Sequence, residues 1–145
     1  MSTPLPGRLT TVDDCRIVEL PKIPRREGNI SVVEAFGNVP FAIERVYYLY
    51  DIPGGQYRGG HAHRQLEQLI VSTLGAFDVV LDDGNKRRTV TLNRAYYGLY
   101  MPPGLWRELV NFSSGAVCLV LASRPYEESD YIRDYQDFVR LKPEI

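Results

Sequence analysis

The stretch Gly55-Gln-Tyr-Arg-Gly-Gly-His61-Ala-His63-Arg-Gln-Leu-Glu67 holds the only two histidines of the chain. Residues two apart on a β-strand point to the same side, so a strand here aims both imidazoles at one face. If that strand continues without a bulge, Glu67 joins them. Two imidazoles and a carboxylate converging inside a barrel have the chemistry of a divalent-metal site. The bland alternative is that the two histidines are satisfied polar groups of a strand or plain surface residues.

Working outward, the chain reads as short strands separated by turn signals. Cys15 to Leu20 alternates polar and apolar residues, Asn29 to Phe36 is rich in β-branched residues, and Ile43 to Tyr50 (IERVYYLY) is aromatic and β-branched. Gln65 to Leu74 and Ala76 to Leu81 are apolar runs separated by Gly75. Asp82-Asp83-Gly84-Asn85 is a hairpin turn signal, followed by an alternating return strand from Lys86 to Leu92. Tyr97 to Met101, Leu105 to Phe112 and Ala116 to Ala122 complete the set. Strands recurring at this spacing, with no helix-length pattern between them, predict an all-β sandwich or barrel. Only Tyr131 to Leu141 has helical spacing, with Tyr131, Tyr135, Phe138 and Leu141 on one face. The 145 residues predict a single domain spanning 1–145, with a mobile arm at 1–12 where Pro4, Pro6 and Gly7 cluster.

Composition narrows the function. Seventeen basic residues oppose eighteen acidic ones, for a formal net charge of -1, which argues against a long nucleic acid as partner. No apolar run reaches the roughly 20 residues that span a bilayer, and the N-terminal residues do not read as a signal peptide. Cys15 and Cys118 are the only cysteines, so a disulfide scaffold is not expected and a cytoplasmic location fits best.

Gly55, His61, His63 and Glu67 resemble the first motif of the cupin superfamily, with the closing Gly75 one residue later than that motif expects. The second cupin motif ends in proline, glycine, histidine and asparagine. Pro102-Pro-Gly104-Leu-Trp-Arg107-Glu-Leu-Val-Asn111 is similar to it, with Arg107 in place of the histidine. A guanidinium is permanently cationic and does not ligate a metal. The resemblance therefore implies a cupin-type jelly-roll barrel with a short C-terminal helix that keeps the pocket without the ion. Trp106, next to Arg107, is expected on the opposite face as packing.

A closer resemblance is carried by Ile43-Glu-Arg-Val-Tyr-Tyr-Leu-Tyr50, Arg58-Gly-Gly-His61-Ala-His63, Gln68-Leu-Ile-Val71, Val80-Leu-Asp-Asp-Gly84, Gly98 through Leu109, Asn111-Phe-Ser113 and Glu128-Ser-Asp-Tyr-Ile-Arg133. These blocks are similar to the dTDP-4-keto-6-deoxyglucose 3,4-ketoisomerases, enzymes of deoxyamino-sugar biosynthesis. The resemblance implies a homodimer with exchanged N-terminal strands, no metal, a dTDP-linked 4-keto-6-deoxy sugar as substrate, and a 3-keto product for a PLP-dependent aminotransferase. It makes His61 the base, His63 its neighbour and Tyr47 the first tyrosine of the RVYY block. Glu27 departs from the large side chain the family often places before the glycine matching Gly28.

The chemistry asks for these residue types. A 3,4-ketoisomerase removes the proton on C3 and returns one to C4 through an enediol or enediolate. Imidazole can take and release a proton near neutral pH. The developing oxyanion needs preorganised donors, each typically worth about 3–4 kcal/mol; His63, Tyr47 and Arg107 are candidates, and Tyr47 could instead carry the proton to C4. A diphosphate favours bidentate arginine, for which Arg58, Arg107 and Arg124 are candidates. Competing readings are a metal-dependent cupin enzyme using His61, His63 and Glu67, a dTDP-sugar 3,5-epimerase, and a non-catalytic sugar-binding module.

Overall fold

The computed structural model describes residues 5–145, apart from the side chains of Arg58 and Gly59. Ten strands run β1 (Arg16–Glu19), β2 (Arg45–Leu49), β3 (Arg58–His63), β4 (Gln68–Leu74), β5 (Phe77–Asp82), β6 (Arg87–Leu92), β7 (Tyr97–Met101), β8 (Trp106–Val110), β9 (Val117–Ala122) and β10 (Tyr131–Ile132). One helix, α1 (Tyr135–Leu141), follows. The strands form two five-stranded sheets, ordered β1-β7-β4-β9-β2 and β10-β3-β8-β5-β6, with antiparallel pairing throughout. Two packed antiparallel sheets with one short C-terminal helix agree with the jelly roll expected from the sequence.

The core follows from strand alternation. Phe77, Val79 and Leu81 of β5 point between the sheets and meet Ile70 of β4, Leu99 and Met101 of β7, Leu109 of β8 and Val120 of β9. Burying each such side chain contributes about 1.5–3 kcal/mol. The outer face of the first sheet is covered by the β1–β2 connection, which packs Leu20, Val39 and Phe41 over Leu69, Val71, Tyr100 and Leu121. The outer face of the second sheet is sealed by α1: Phe138 packs with Ala62, Trp106 and Ile132. Ala62 and Trp106 therefore point outward, and their neighbours His61, His63 and Arg107 point into the barrel. Trp106 is packing, as the sequence predicts.

The turns match their residues. Between β5 and β6, Asp82 Oδ1 accepts from the Gly84 amide at 2.7 Å, and Asp83 Oδ1 accepts from the Asn85 and Lys86 amides. These are Asx-type turns that tighten the hairpin. Gly104 has φ +84, and a Cβ there would lie 2.3 Å from the Gly7 carbonyl oxygen, so both backbone conformation and packing demand glycine. The displaced Gly75 also has a cause. The register of β4 against β9 shifts between Ser72 and Leu74, a bulge that inserts one extra residue.

Three expectations are corrected. Asn29 to Phe36 is not a strand: Ile23 and Ile30 form one isolated bridge, Ala35 and Val39 another, and Asn38 ties the segment by accepting from the Glu34 amide and donating to the Val32 carbonyl. The helix does not begin at Tyr131. Tyr131 and Ile132 pair with His63 and Ala62, and Asp134 caps α1 by accepting from the Asp137 amide. The arm predicted at 1–12 is held down where it is described, with Thr10 and Val12 buried and Lys142 Nζ donating to the carbonyls of Gly7, Thr10 and Gly104. Residues 1–4 of that arm lie outside the described residues.

Candidate active site

The site grows from β3. Its register against β8 shifts between Arg58 and His61, and the ladder resumes with His61 opposite Arg107. Bulges re-aim side chains next to functional sites. Here the result puts His61 and Arg107 side by side on the inner face, with Leu109 one alternation further along β8. Across the gap, edge strand β2 contributes Arg45, Tyr47 and Leu49, and the segment after β9 brings Tyr126, Tyr131 and Arg133. These residues enclose a cavity of about 400 Å³ at the edge where the two sheets part, within the size range of small-molecule sites.

Arg107 Nη2 donates to the Tyr47 hydroxyl at 3.0 Å. Because that oxygen already accepts from the guanidinium, its own O–H is free to donate into the cavity. His61 is 8% exposed, and its Nε2 is buried with no partner in the protein. Burial first, then the Arg107 charge, push its pKa down to about 2, so the imidazole is neutral at working pH. His63 stands behind it, 2% exposed, with ring centroids 4.8 Å apart and planes nearly perpendicular. His63 Nδ1 meets Asp130 Oδ2 at 2.9 Å. Burial lowers the His63 pKa although the Asp130 bond opposes it. Burial alone would raise the Asp130 pKa, but the bonds from His63 and the Gln65 amide hold it below the usual range.

The rim is aromatic and cationic. Arg45 lies over the rings of Tyr47 and Tyr126 at 5.4 and 5.7 Å, and Arg133 over Tyr131 at 4.3 Å. Arg133 also makes a two-pronged pair with Glu128 at 2.7 and 2.9 Å. Among the described residues, neither Arg45 nor Arg107 has a carboxylate partner. The Nε atoms of both, like Nε2 of both histidines, are buried and unpaired within the protein. Buried polar atoms are almost always paired, so the three orphans on the cavity wall itself, on His61, Arg45 and Arg107, point to a polar guest, and the two guanidinium atoms to an anionic one.

The structure thus brings together His61, His63, Tyr47 and Arg107. Arg124 is not with them. It pairs with Glu127 at 3.6 Å and borders a separate hollow shared with Glu67. The side chain of Arg58 lies outside the described residues. Glu67 does not join the histidines either, because β3 ends at His63 and the chain turns before β4. Its Oε1 accepts from the Tyr100 hydroxyl at 2.7 Å, and burial raises its pKa although that bond opposes the rise. The metal reading based on His61, His63 and Glu67 therefore lacks its carboxylate. Glu27 is exposed on the β1–β2 connection. Sequence reasoning missed Arg45, Tyr126, Tyr131 and Arg133 as wall residues and Asp130 as the partner of His63. Four of these five lie inside blocks that carried the resemblance, and that was the only available signal.

Comparison with known proteins returns related chains. Residues 13–143 match the family model described as FdtA: WxcM-like, C-terminal. The TDP-4-oxo-6-deoxy-alpha-D-glucose-3,4-oxoisomerase of Aneurinibacillus thermoaerophilus is 44% identical over 130 residues, covering 90% of this chain and 94% of that one. A 3,4-ketoisomerase from Helicobacter canadensis superposes with a TM-score of 0.87 at 40% identity, covering 89% of this chain and 97% of that one. A variant 3,4-ketoisomerase from Thermoanaerobacterium thermosaccharolyticum, in complex with TDP-4-keto-6-deoxyglucose, superposes at 0.88 with 30% identity over 92% and 97% of the two chains.

Proposed function

Because the chain belongs to the dTDP-sugar 3,4-ketoisomerase family, we propose that it moves the keto group of dTDP-4-keto-6-deoxyglucose from C4 to C3. The observation that carries this reading is a neutral imidazole beside an Arg107–Tyr47 donor pair, all facing one cavity with unpaired guanidinium charge.

In this mechanism His61 takes the proton from C3 and becomes imidazolium. The electron pair of the C–H bond forms the C3–C4 double bond, and negative charge develops on the C4 oxygen. Tyr47 donates to that oxygen, and Arg107 stabilises the tyrosine as it gives up its proton. A donor of this kind is worth about 3–4 kcal/mol in the transition state. The hydroxyl on C3 must lose its proton to become the new carbonyl. Tyr47, depleted by its donation to O4, is placed to receive it. His61 then returns a proton to C4. The fixed charge of Arg107 supplies the electrostatic stabilisation within a buried site, where such charges act strongly. Arg45 and Arg133 at the rim are the anchors we assign to the diphosphate, in place of Arg124.

We also propose a cytoplasmic homodimer that exchanges N-terminal strands. The two free, buried cysteines fit a reducing compartment. Exposed Val46 and Tyr48 on edge strand β2 are the kind of apolar surface that a partner covers. Among the described residues, no helix is long and apolar enough to cross a membrane.

Proton NMR of dTDP-4-keto-6-deoxyglucose with the protein in deuterated water tests the function. The expected result is deuterium entering the ring and a 3-keto product, trapped with an aminotransferase. Absence of exchange at C3 and of product would overturn the assignment. His61→Ala is expected to abolish turnover while sparing dTDP binding; turnover at the wild-type rate would show that another group is the base.

A further inference from the structure

The reaction leaves the buried carboxylate of Asp130 unassigned. Asp130 is 8% exposed and does not border the cavity, yet it bonds the inner histidine. A carboxylate only accepts, so the proton of neutral His63 sits on Nδ1 and is donated to Asp130 Oδ2. The lone pair is then fixed on Nε2, which is buried and unpartnered. Asp130 itself is immobilised. Its Oδ1 accepts from the Gln65 amide at 2.7 Å, its amide donates to Glu127 O, and its carbonyl accepts from the Arg64 amide.

The ring beside His63 is His61. Burial disfavours the protonation of His61, and so does every charge that bears on it: Arg107, then His63 when protonated, then Arg133 and Arg45. A base must nevertheless hold a proton for the lifetime of the intermediate. We propose that Asp130 is a positioning residue that makes this possible through His63. By locking the tautomer, it leaves a lone pair rather than an N–H on the buried Nε2 of the ring that stands against His61, and its negative charge polarises His63 from behind. The wrong tautomer would set a second N–H dipole against the imidazolium that forms on His61. The same locking means that His63, in its neutral form, cannot donate to the oxyanion through Nε2. The Arg107–Tyr47 pair is left with that task. This inference rests on the ketoisomerase reading and on His61 as base.

Asp130→Asn tests it. The amide oxygen can keep the Gln65 amide, while its NH2 faces His63 Nδ1 and forces the ring proton to Nε2. Nitrogen-15 NMR of labelled protein should show His63 changing from the Nδ1–H to the Nε2–H form. We expect kcat to fall roughly 10²–10⁴-fold, in the range a wrong tautomer costs other histidine bases. dTDP affinity should stay within about threefold, and a C3-deuterated substrate should show a larger isotope effect because proton removal becomes more rate-limiting. Asp130→Glu, which restores the carboxylate, should recover part of kcat. A flipped tautomer with kcat near wild type overturns the proposal. So does parallel loss of kcat, dTDP binding and thermal stability in both variants, since that marks a structural role. Failure of the wild-type protein to convert the sugar is a separate outcome; it removes the ketoisomerase reading, and this inference with it.

Discussion

Burying a histidine pair without protonating it has a cost that appears in acid. His61 in the folded protein stays neutral down to about pH 2, whereas an imidazole in the unfolded chain takes up a proton near pH 6.5. Above pH 6.5 both states are neutral and the group contributes nothing. Below it the unfolded state binds the proton and the folded state does not, so stability falls as pH falls, by about 1.4 kcal/mol per pH unit. Between pH 6.5 and 4.5 His61 alone should cost about 3 kcal/mol, a large share of the 5–15 kcal/mol typical of a domain. His63, also lowered, acts in the same direction. Glu67, whose pKa is raised, takes its proton first in the folded state and partly offsets the loss. Asp130, whose pKa is lowered, keeps its contribution until more acid pH. Urea unfolding followed by the fluorescence of Trp106, the single tryptophan and buried beneath α1, measures the slope. His61→Asn should flatten it by nearly one proton across this range. Equal slopes for the wild type and the variant would refute the assignment of a neutral, buried His61.

Other expectations follow from the same contacts. Tyr47→Phe removes the donor and leaves the ring, so kcat should drop roughly 10²–10³-fold in steady-state assays with little change in dTDP binding. Arg45→Met should weaken dTDP binding in calorimetry and reduce its sensitivity to salt, because it deletes a rim charge. Lys142→Met strips a donor from the carbonyls of Gly7, Thr10 and Gly104. It should lower stability by about 1–3 kcal/mol, read by thermal unfolding, and expose the Gly7–Asp14 turns to limited proteolysis.

The legible parts of the fold were those with a local cause. Alternation in Phe77 to Asp82, the Asp-Asp-Gly turn and the His-x-His spacing each depend on neighbours in sequence, and each matches the structure. Asn29 to Phe36 failed because β-branched residues report a fit to a sheet surface rather than a partner strand, and no full strand pairs with them. Tyr131 shares a spacing with Tyr135 and Phe138 by coincidence; its pairing with His63, 68 positions away, overrides the local pattern. Asp130 was unreadable for the same reason. Arg124 was a diphosphate candidate and Arg45 was not, because nothing local to either arginine says which one reaches the pocket. Tertiary contacts separate them: Arg45 Nη2 donates to the Tyr131 hydroxyl at 3.4 Å beside the cavity, while Arg124 pairs with Glu127. The reading of Arg107 rests on what a guanidinium can and cannot do rather than on its neighbours in sequence, and the structure sets that guanidinium against the Tyr47 hydroxyl.

The register shift in β3 has a consequence for how this family can vary. Side chains on a strand have only two directions, so the site depends on parity. Two residues, Gly59 and Gly60, separate Arg58 from His61, where Glu108 alone separates Leu109 from Arg107. Directly paired residues share a face of the sheet, so removing one glycine would close the bulge into an unbroken ladder and leave His61 facing inward beside Arg107. What the strand would lose is the local bend that the extra residue gives. A deletion at Ala62 has no bulge to absorb it, and it would turn His63 toward α1. Length variation is thus absorbed at the two glycines and breaks the site one or two positions further on.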